Sequence, residues 1–261
     1  MKDKAHIYQS KPVNAQGQRV YSEIENETWR QLITRQKEHI QKRACDEFIQ
    51  GVDQLNLPQT RVPQLEELLP SLERTHWTLE AVEGTVTETE FFKLLADRRF
   101  PVATFIRIPQ HLDYLQQPDI FHEIFGHCPL LLHSPYADFV SWYGRFALQV
   151  GQAARIVLCR LFWFTIEFGL MHTAHGLRIY GGGILSSYQE TASSLDPSQS
   201  EHRLFDIESM LNQSYDYSCI QPVYYMLSSW DDLYGIMDRE KEVLAMVEGM
   251  TGSDQEPFNI C

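Results

Sequence analysis

Apolar positions at three- and four-residue spacing begin near Asn26. Trp29, Leu32, Ile33, Ile40, Ala44 and Phe48, with Gln36 in the same register, predict one helix running to about Gln50 and closed by Leu57-Pro58. Leu65, Leu68, Leu69 and Leu72, with Pro63 just ahead, predict a short second helix. Trp77 to Val82 alternates as a strand would, and Thr87-Glu88-Thr89-Glu90 reads as a capping box opening a helix that carries Phe91, Phe92, Leu94 and Leu95. A strand is expected over 101–106, with Arg107 at its end before Ile108-Pro109. Residues 135–149 read as a helix that Gly151 interrupts. Residues 156–171 are apolar almost all round, the pattern of a central buried helix, yet they contain Glu167. Residues 179–185 are a strand edge broken by three glycines and lead to a helix start at Ser186-Ser187. A short helix over 205–211, a strand over 223–226 and a closing helix over 230–247 complete the pattern. The arrangement is mainly α with small β elements in a single domain, 21–250, between a polar arm (1–20) and a polar, frayed tail (251–261).

Composition narrows the function classes. Of 261 residues, 43% are hydrophobic and 12% aromatic, enough for a sizeable core. A net charge of −13 with no basic stripe argues against a nucleic-acid partner. No uncharged apolar run approaches the roughly 18 residues of a membrane span, and the start lacks the apolar region of a secretory signal. Cys45, Cys128, Cys159, Cys219 and Cys261 are scattered with no CxxC spacing, which suits free thiols in the cytoplasm.

The chemistry concentrates in Pro118-Asp119-Ile120-Phe121-His122-Glu123-Ile124-Phe125-Gly126-His127-Cys128-Pro129. A solvated helix would not carry so many aromatic and β-branched residues, and a plain core helix would not carry so many ionisable ones. Buried polar groups need partners, and a metal ion serves several at once. On an α-helix, His122 and His127 would point about 140° apart. HExxH zinc proteases place their histidines four apart, so this HExxxH segment departs from them. A helix that ends or distorts at Gly126 would let the two converge. Glu167 is the third candidate ligand, because a glutamate inside so apolar a segment is either ligating or paired. Two histidines and one carboxylate match the facial triad of non-haem iron, with three positions open. Glu123 points away from His122 on a helix and would meet a ligand, a water or a nearby cation. Asp119, after Pro118, either caps the helix or orients a histidine. His111, His133, His172 and His175 are expected at the surface or behind the ligands rather than on the metal.

Three stretches together resemble the pterin-dependent aromatic amino acid hydroxylases, most nearly the bacterial phenylalanine 4-hydroxylases. They are Pro118-Asp119-x-x-His122-Glu123-x-x-Gly126-His127-x-Pro129, Trp163-Phe164-Thr165-Ile166-Glu167-Phe168-Gly169-Leu170, and Tyr180-Gly181-x-Gly183-x-Leu185-Ser186-Ser187. The resemblance runs from about Trp77 to about Trp230. It implies the family's catalytic-domain fold, so that 21–250 would be the catalytic domain. It also implies Fe(II) on His122, His127 and Glu167, and a tetrahydrobiopterin or related tetrahydropterin beside it. O2 would be split, with one oxygen atom going to the ring of L-phenylalanine to give L-tyrosine. Arg107 matches the family's arginine for the substrate carboxylate, and Asp119 the partner of that arginine. Trp163 and Phe168 match positions beside the substrate ring, and Ser186 one that supports an iron histidine and the substrate site. Gly84, Val86, Phe91, Phe92 and Glu123 match the pterin positions. Leu115 departs from the animal enzymes, which carry a polar residue there. The N-terminal regulatory domain and the C-terminal tetramerisation helix of the animal enzymes have no counterpart, so a monomer or homodimer is expected.

The alternatives are a tyrosine or tryptophan hydroxylase on the same fold, a zinc hydrolase on the same three residues, and a non-enzymatic binding protein with a structural metal. The pocket near Arg107, Leu115, Trp163 and Phe168 decides among the hydroxylases. Dependence on Fe(II) and a reduced pterin separates them from a zinc hydrolase, and an unstable apo-protein that consumes no amino acid would mark the binding protein.

Overall fold

In the computed structural model, which describes residues 8–83 and 86–250, two helices carry the apolar periodicity that starts at Trp29. α1 (Glu23–His39) opens with a full capping box: Ser22 Oγ accepts from Glu25 N, and the Glu25 carboxylate accepts from Ser22 N at 2.8 Å. α2 is Asp46–Leu55. Between them Lys42 turns to φ 62°. Arg43 O then accepts from Ile179 N at 2.8 Å, and Cys45 N donates to Ile179 O at 2.9 Å. These bonds to a distant strand replace helical ones, so Ile40 and Ala44 stay buried while the expected single helix is broken. Asn56, in the left-handed region at φ 46°, ends α2 before Leu57-Pro58.

α3 (Leu69–Leu72) sits between two 3₁₀ turns, Leu65–Glu67 and Glu73–Thr75. β1 (Thr78–Val82), α4 (Glu88–Ala96) and β2 (Arg99–Ala103) follow, the strands pairing in parallel with Thr78 opposite Arg99. Thr87 Oγ1 caps α4 by accepting from Glu90 N at 3.2 Å. The strand starts two residues and ends three residues earlier than expected. Beyond Ala103 the N-terminal arm takes over: Thr104 N donates to Ser10 Oγ at 3.1 Å and Lys11 N to Thr104 Oγ1 at 2.8 Å.

A π-type turn (His122–His127) runs into α5 (Cys128–Leu131), then α6 (Ser134–Ala147) and α7 (Gln152–Phe162), with Gly151 the N-cap of α7. A second π-type turn, Trp163–Glu167, ends that helix. Leu170 and Met171, expected in the helix, belong instead to β3 (Leu170–Thr173). Its first two residues are buried, between β4 (Gly176–Ile179) and β6 (Val223–Leu227), and a short buried apolar run reads the same in a strand as in a helix. α8 (Gly182–Leu185), α9 (Tyr188–Ser193), β5 (Glu201–Leu204), α10 (Ile207–Asn212) and β6 (Val223–Leu227) follow, with the sheet ordered β4-β3-β6-β5. β5 carries no alternation to announce it: Leu204 is 68% exposed. The closing helix is two, α11 (Trp230–Asp238) and α12 (Glu240–Gly249), because Arg239 leaves helical geometry at φ −101°, ψ 17°. One apolar cluster extends from Trp29 to Val247. The tail expected over 251–261 and the first residues of the arm lie outside the described residues.

Candidate metal centre and substrate cavity

The two π-type turns carry the ionisable groups. A π turn bonds residue i to i+5, so it returns the fifth residue to the side of the first. His122 and His127 accordingly converge, with their Nε2 atoms 3.2 Å apart. The distortion belongs to the whole turn, and Gly126 serves a different purpose from the one expected. A Cβ there would lie 2.6 Å from Gly182 O, so the glycine lets the turn press against α8. In the second turn Phe168 N donates to Trp163 O at 2.9 Å, again five residues apart. Glu167 Oε2 then stands 3.3 Å from His127 Nε2 and 3.7 Å from His122 Nε2. Ligands on adjacent positions of one ion, each at the roughly 2.0–2.2 Å usual for imidazole and carboxylate, sit about 3 Å apart. These three donors therefore stand at the spacing that one face of a coordination site requires. A Glu123 oxygen also lies within 4.8 Å of a nitrogen of each histidine. Glu167 makes the tighter set, and Glu123 flanks it.

The surroundings prepare the ligands. Ser186 Oγ donates its proton to Gly183 O at 3.2 Å, so at 2.9 Å from His122 Nδ1 it accepts. That places the His122 proton on Nδ1 and leaves the Nε2 lone pair for a metal. Burial, partly offset by the Glu167 charge, brings the His122 pKa down to about 4, which keeps the ring neutral. Burial would raise the Glu167 carboxyl, but the two imidazoles outweigh it and hold the group below the usual glutamate range. A Cβ on Gly182 would meet the His127 ring at 2.4 Å, and one on Gly183 would come within 3.1 Å of Glu167 Oε2. The glycines read from sequence as breaks in a strand are thus the cradle of the ligands.

Arg107, at the end of the extended segment after β2, is gripped by Asp119. Its Nε and Nη2 donate to the two carboxylate oxygens, each at 2.8 Å, and its backbone N donates to Oδ2 at 2.9 Å. Asp119 Oδ1 also accepts from His122 N at 3.0 Å. Both sequence readings of Asp119, helix cap and arginine partner, describe this one carboxylate. Burial would raise its pKa, but the guanidinium and these hydrogen bonds hold it below the usual aspartate range.

A cavity of about 110 Å³ opens beside these groups, lined by Arg107, His122, Trp163, Glu167, Phe168 and Ser186 among others. The rings of Trp163 and Phe168 are 4.3 Å apart. Two loops, 113–118 and 217–221, wall the mouth, and Tyr114 OH donates to Tyr217 O between them at 2.8 Å. The pterin positions lie elsewhere: Val86, Phe91, Phe92 and Glu123 do not line this cavity. Phe91 and Phe92 are buried, edge-on to each other and to Phe162, Val86 is half-buried, and Gly84 lies outside the described residues. His111, His133, His172 and His175 stay apart from His122 and His127, with His111 bonded to Tyr8 OH and His133 packed on Trp230.

Sequence reasoning missed Glu190, a buried carboxylate in the cavity wall. Its only signal was misleading, because Ser187-x-x-Glu190 has the form of a capping box. Glu190 N does donate to Ser187 Oγ at 3.4 Å. The carboxylate turns elsewhere: its Oε1 accepts from Gln221 N at 3.0 Å and from Tyr224 OH at 2.8 Å.

Comparison with known proteins agrees with this geometry. Residues 3–244 match the family described as biopterin-dependent aromatic amino acid hydroxylase. The chain is 45% identical over 228 residues to phenylalanine-4-hydroxylase of Pseudomonas aeruginosa, covering 87% of this chain and 86% of that one. The apo structure of the cold-active phenylalanine hydroxylase from Colwellia psychrerythraea superposes with a TM-score of 0.87 at 44% identity, covering 93% and 95% of the two chains. Phenylalanine hydroxylase from Chromobacterium violaceum, solved with iron(III) and 7,8-dihydrobiopterin, gives a TM-score of 0.83 at 37% identity, covering 92% and 89%.

Proposed function

Because the chain belongs to the biopterin-dependent aromatic amino acid hydroxylases, we propose that it is a phenylalanine 4-monooxygenase, which makes L-tyrosine from L-phenylalanine, O2 and a tetrahydropterin. The observation that carries this reading is the single face formed by His122 Nε2, His127 Nε2 and Glu167 Oε2, set beside a cavity that contains Arg107. That face fits a mononuclear iron: two imidazoles and one carboxylate leave three positions open. Iron and reduced pterin, when bound, supply the electrons that activate O2.

The chain's own residues do the rest. Arg107 presents its planar fork to the amino acid carboxylate while Asp119 fixes its orientation. Trp163 and Phe168 give the substrate ring an aromatic wall. Ser186 holds the His122 tautomer. Gly84, Val86, Phe91, Phe92 and Glu123 remain the pterin-side set, with Glu123 nearest the metal donors. Residues 21–250 form the catalytic unit in this reading. Its placement in the cytoplasm is supported by the unpaired state of the four described cysteines, and a monomer or homodimer is the assembly proposed. No described helix is long and apolar enough to cross a membrane.

The test is to supply the purified protein with Fe(II), tetrahydropterin, O2 and each aromatic amino acid in turn. Tyrosine from phenylalanine is expected. Phenylalanine left untouched while tyrosine or tryptophan is consumed would move the assignment to another member of the family.

A further inference from the structure

The cavity wall holds a carboxylate that the reaction as described does not use. Three carboxylate residues line the cavity: Asp113, Glu167 and Glu190. Asp113 is paired with Arg35 at 2.5 Å, and Glu167 faces the two histidines. Glu190 is 3% exposed, and its two hydrogen-bond donors, Gln221 N and Tyr224 OH, are both neutral. Both bonds fall on Oε1; Oε2 takes none among the described residues. Burial outweighs these bonds and pushes the carboxyl up to about 7. Its charge is felt by the hydroxyls of Tyr114 and Tyr224 and the thiol of Cys219, none of them a cation, and no cation pairs with it among the described residues. On the α1 side, Arg35 and His39 meet the ring of Tyr188, and Arg35 is already committed to Asp113. Glu190 is therefore a buried anion site without a cation.

A free amino acid brings both charges into this space. Arg107 answers its carboxylate, but an ammonium entering a desolvated cavity also needs an anion to replace its lost hydration. Asp119 is saturated by Arg107, and Glu167 belongs to the metal face. We propose that Glu190 is a substrate-binding residue that receives the ammonium group of the amino acid, forming with Arg107 a clamp for the zwitterion. The proposal rests on the amino acid hydroxylase reading and specifies how that site tells an amino acid from a simple aromatic acid.

Glu190→Gln keeps a carbonyl acceptor for Gln221 N and Tyr224 OH, removes the charge and replaces the free oxygen by an amide NH2. The iron-loaded wild type and this variant are titrated with L-phenylalanine and with 3-phenylpropanoate, which lacks the ammonium group. E190Q should weaken phenylalanine binding roughly ten- to hundredfold, the worth of one charged hydrogen bond, and leave 3-phenylpropanoate unchanged. Equal weakening of both ligands, or of neither, overturns the proposal. Failure of both ligands to bind the wild type would sink the amino acid reading itself. The wild type also provides a check that needs no variant. Near pH 7, phenylalanine binding should release part of a proton as Glu190 ionises, seen by calorimetry in buffers of different ionisation enthalpy, and 3-phenylpropanoate should release none. The same proton count for the two ligands would contradict the assignment.

Discussion

Asp119 is the residue on which most of the site's geometry converges, since it binds Arg107 through three bonds and His122 through one. Removing one partner of a fully buried ion pair leaves the other charge uncompensated, so Asp119→Asn should cost roughly 3 kcal/mol of stability. Its folded pKa lies below the unfolded value of about 3.9. The stabilisation it gives is therefore complete above that value and lost as pH falls through the folded pKa. Thermal unfolding of wild type and variant across pH should show a gap that closes only on the acid side of about pH 4. A constant gap would mean that the pair's charge contributes nothing. At this scale the sequence was readable where a residue type conflicts with its surroundings. Glu167 amid apolar residues and two histidines amid aromatic ones stand out for that reason. Glu190 did not, because a glutamate three positions after a serine has an ordinary local use, and its real partners lie more than thirty residues further on.

The elements that matter most are the two π-type turns and the glycine-rich α8 pressed against them. Gly182→Ala would drive a methyl into the His127 ring, and overpacking of this kind costs about 1–3 kcal/mol. Iron affinity should fall together with stability, measured by metal titration and thermal unfolding. Unchanged iron affinity would show that the ligands do not depend on this contact. The five-residue histidine spacing signalled that an α-helix could not serve, but it could not specify a π turn. Periodicity placed most elements and failed at their boundaries. The break after α1 is made by bonds to Ile179, and the helix that ends at Glu167 gives way to a strand whose first residues, Leu170 and Met171, continue its apolar run. Both outcomes depend on contacts far away in the chain.

Across the whole molecule, the arm reaches the segment that presents Arg107. Tyr8 stacks on Phe105 at 4.9 Å and bonds His111, while Ser10 and Lys11 hold Thr104. Loss of an aromatic contact of this kind, about 1 kcal/mol, should raise the KM for phenylalanine several-fold in Tyr8→Ala and leave iron binding intact. A fall in kcat with unchanged KM would place the arm's influence elsewhere. The arm's sequence is polar and aperiodic, so nothing local announced this docking. The class of fold was legible because amphipathic spacing repeats along most of the chain, and the chemistry because its motifs cluster.

The central claim is that His122, His127 and Glu167 hold the iron on which phenylalanine hydroxylation depends. The direct measurement is tyrosine formed from phenylalanine and tetrahydropterin as Fe(II) is titrated into metal-free wild type and Glu167→Ala. Product should rise with iron to a plateau at one equivalent in the wild type, and the variant, though folded, should bind iron poorly and form no tyrosine. Full turnover by Glu167→Ala, or wild-type turnover indifferent to iron, would contradict the account.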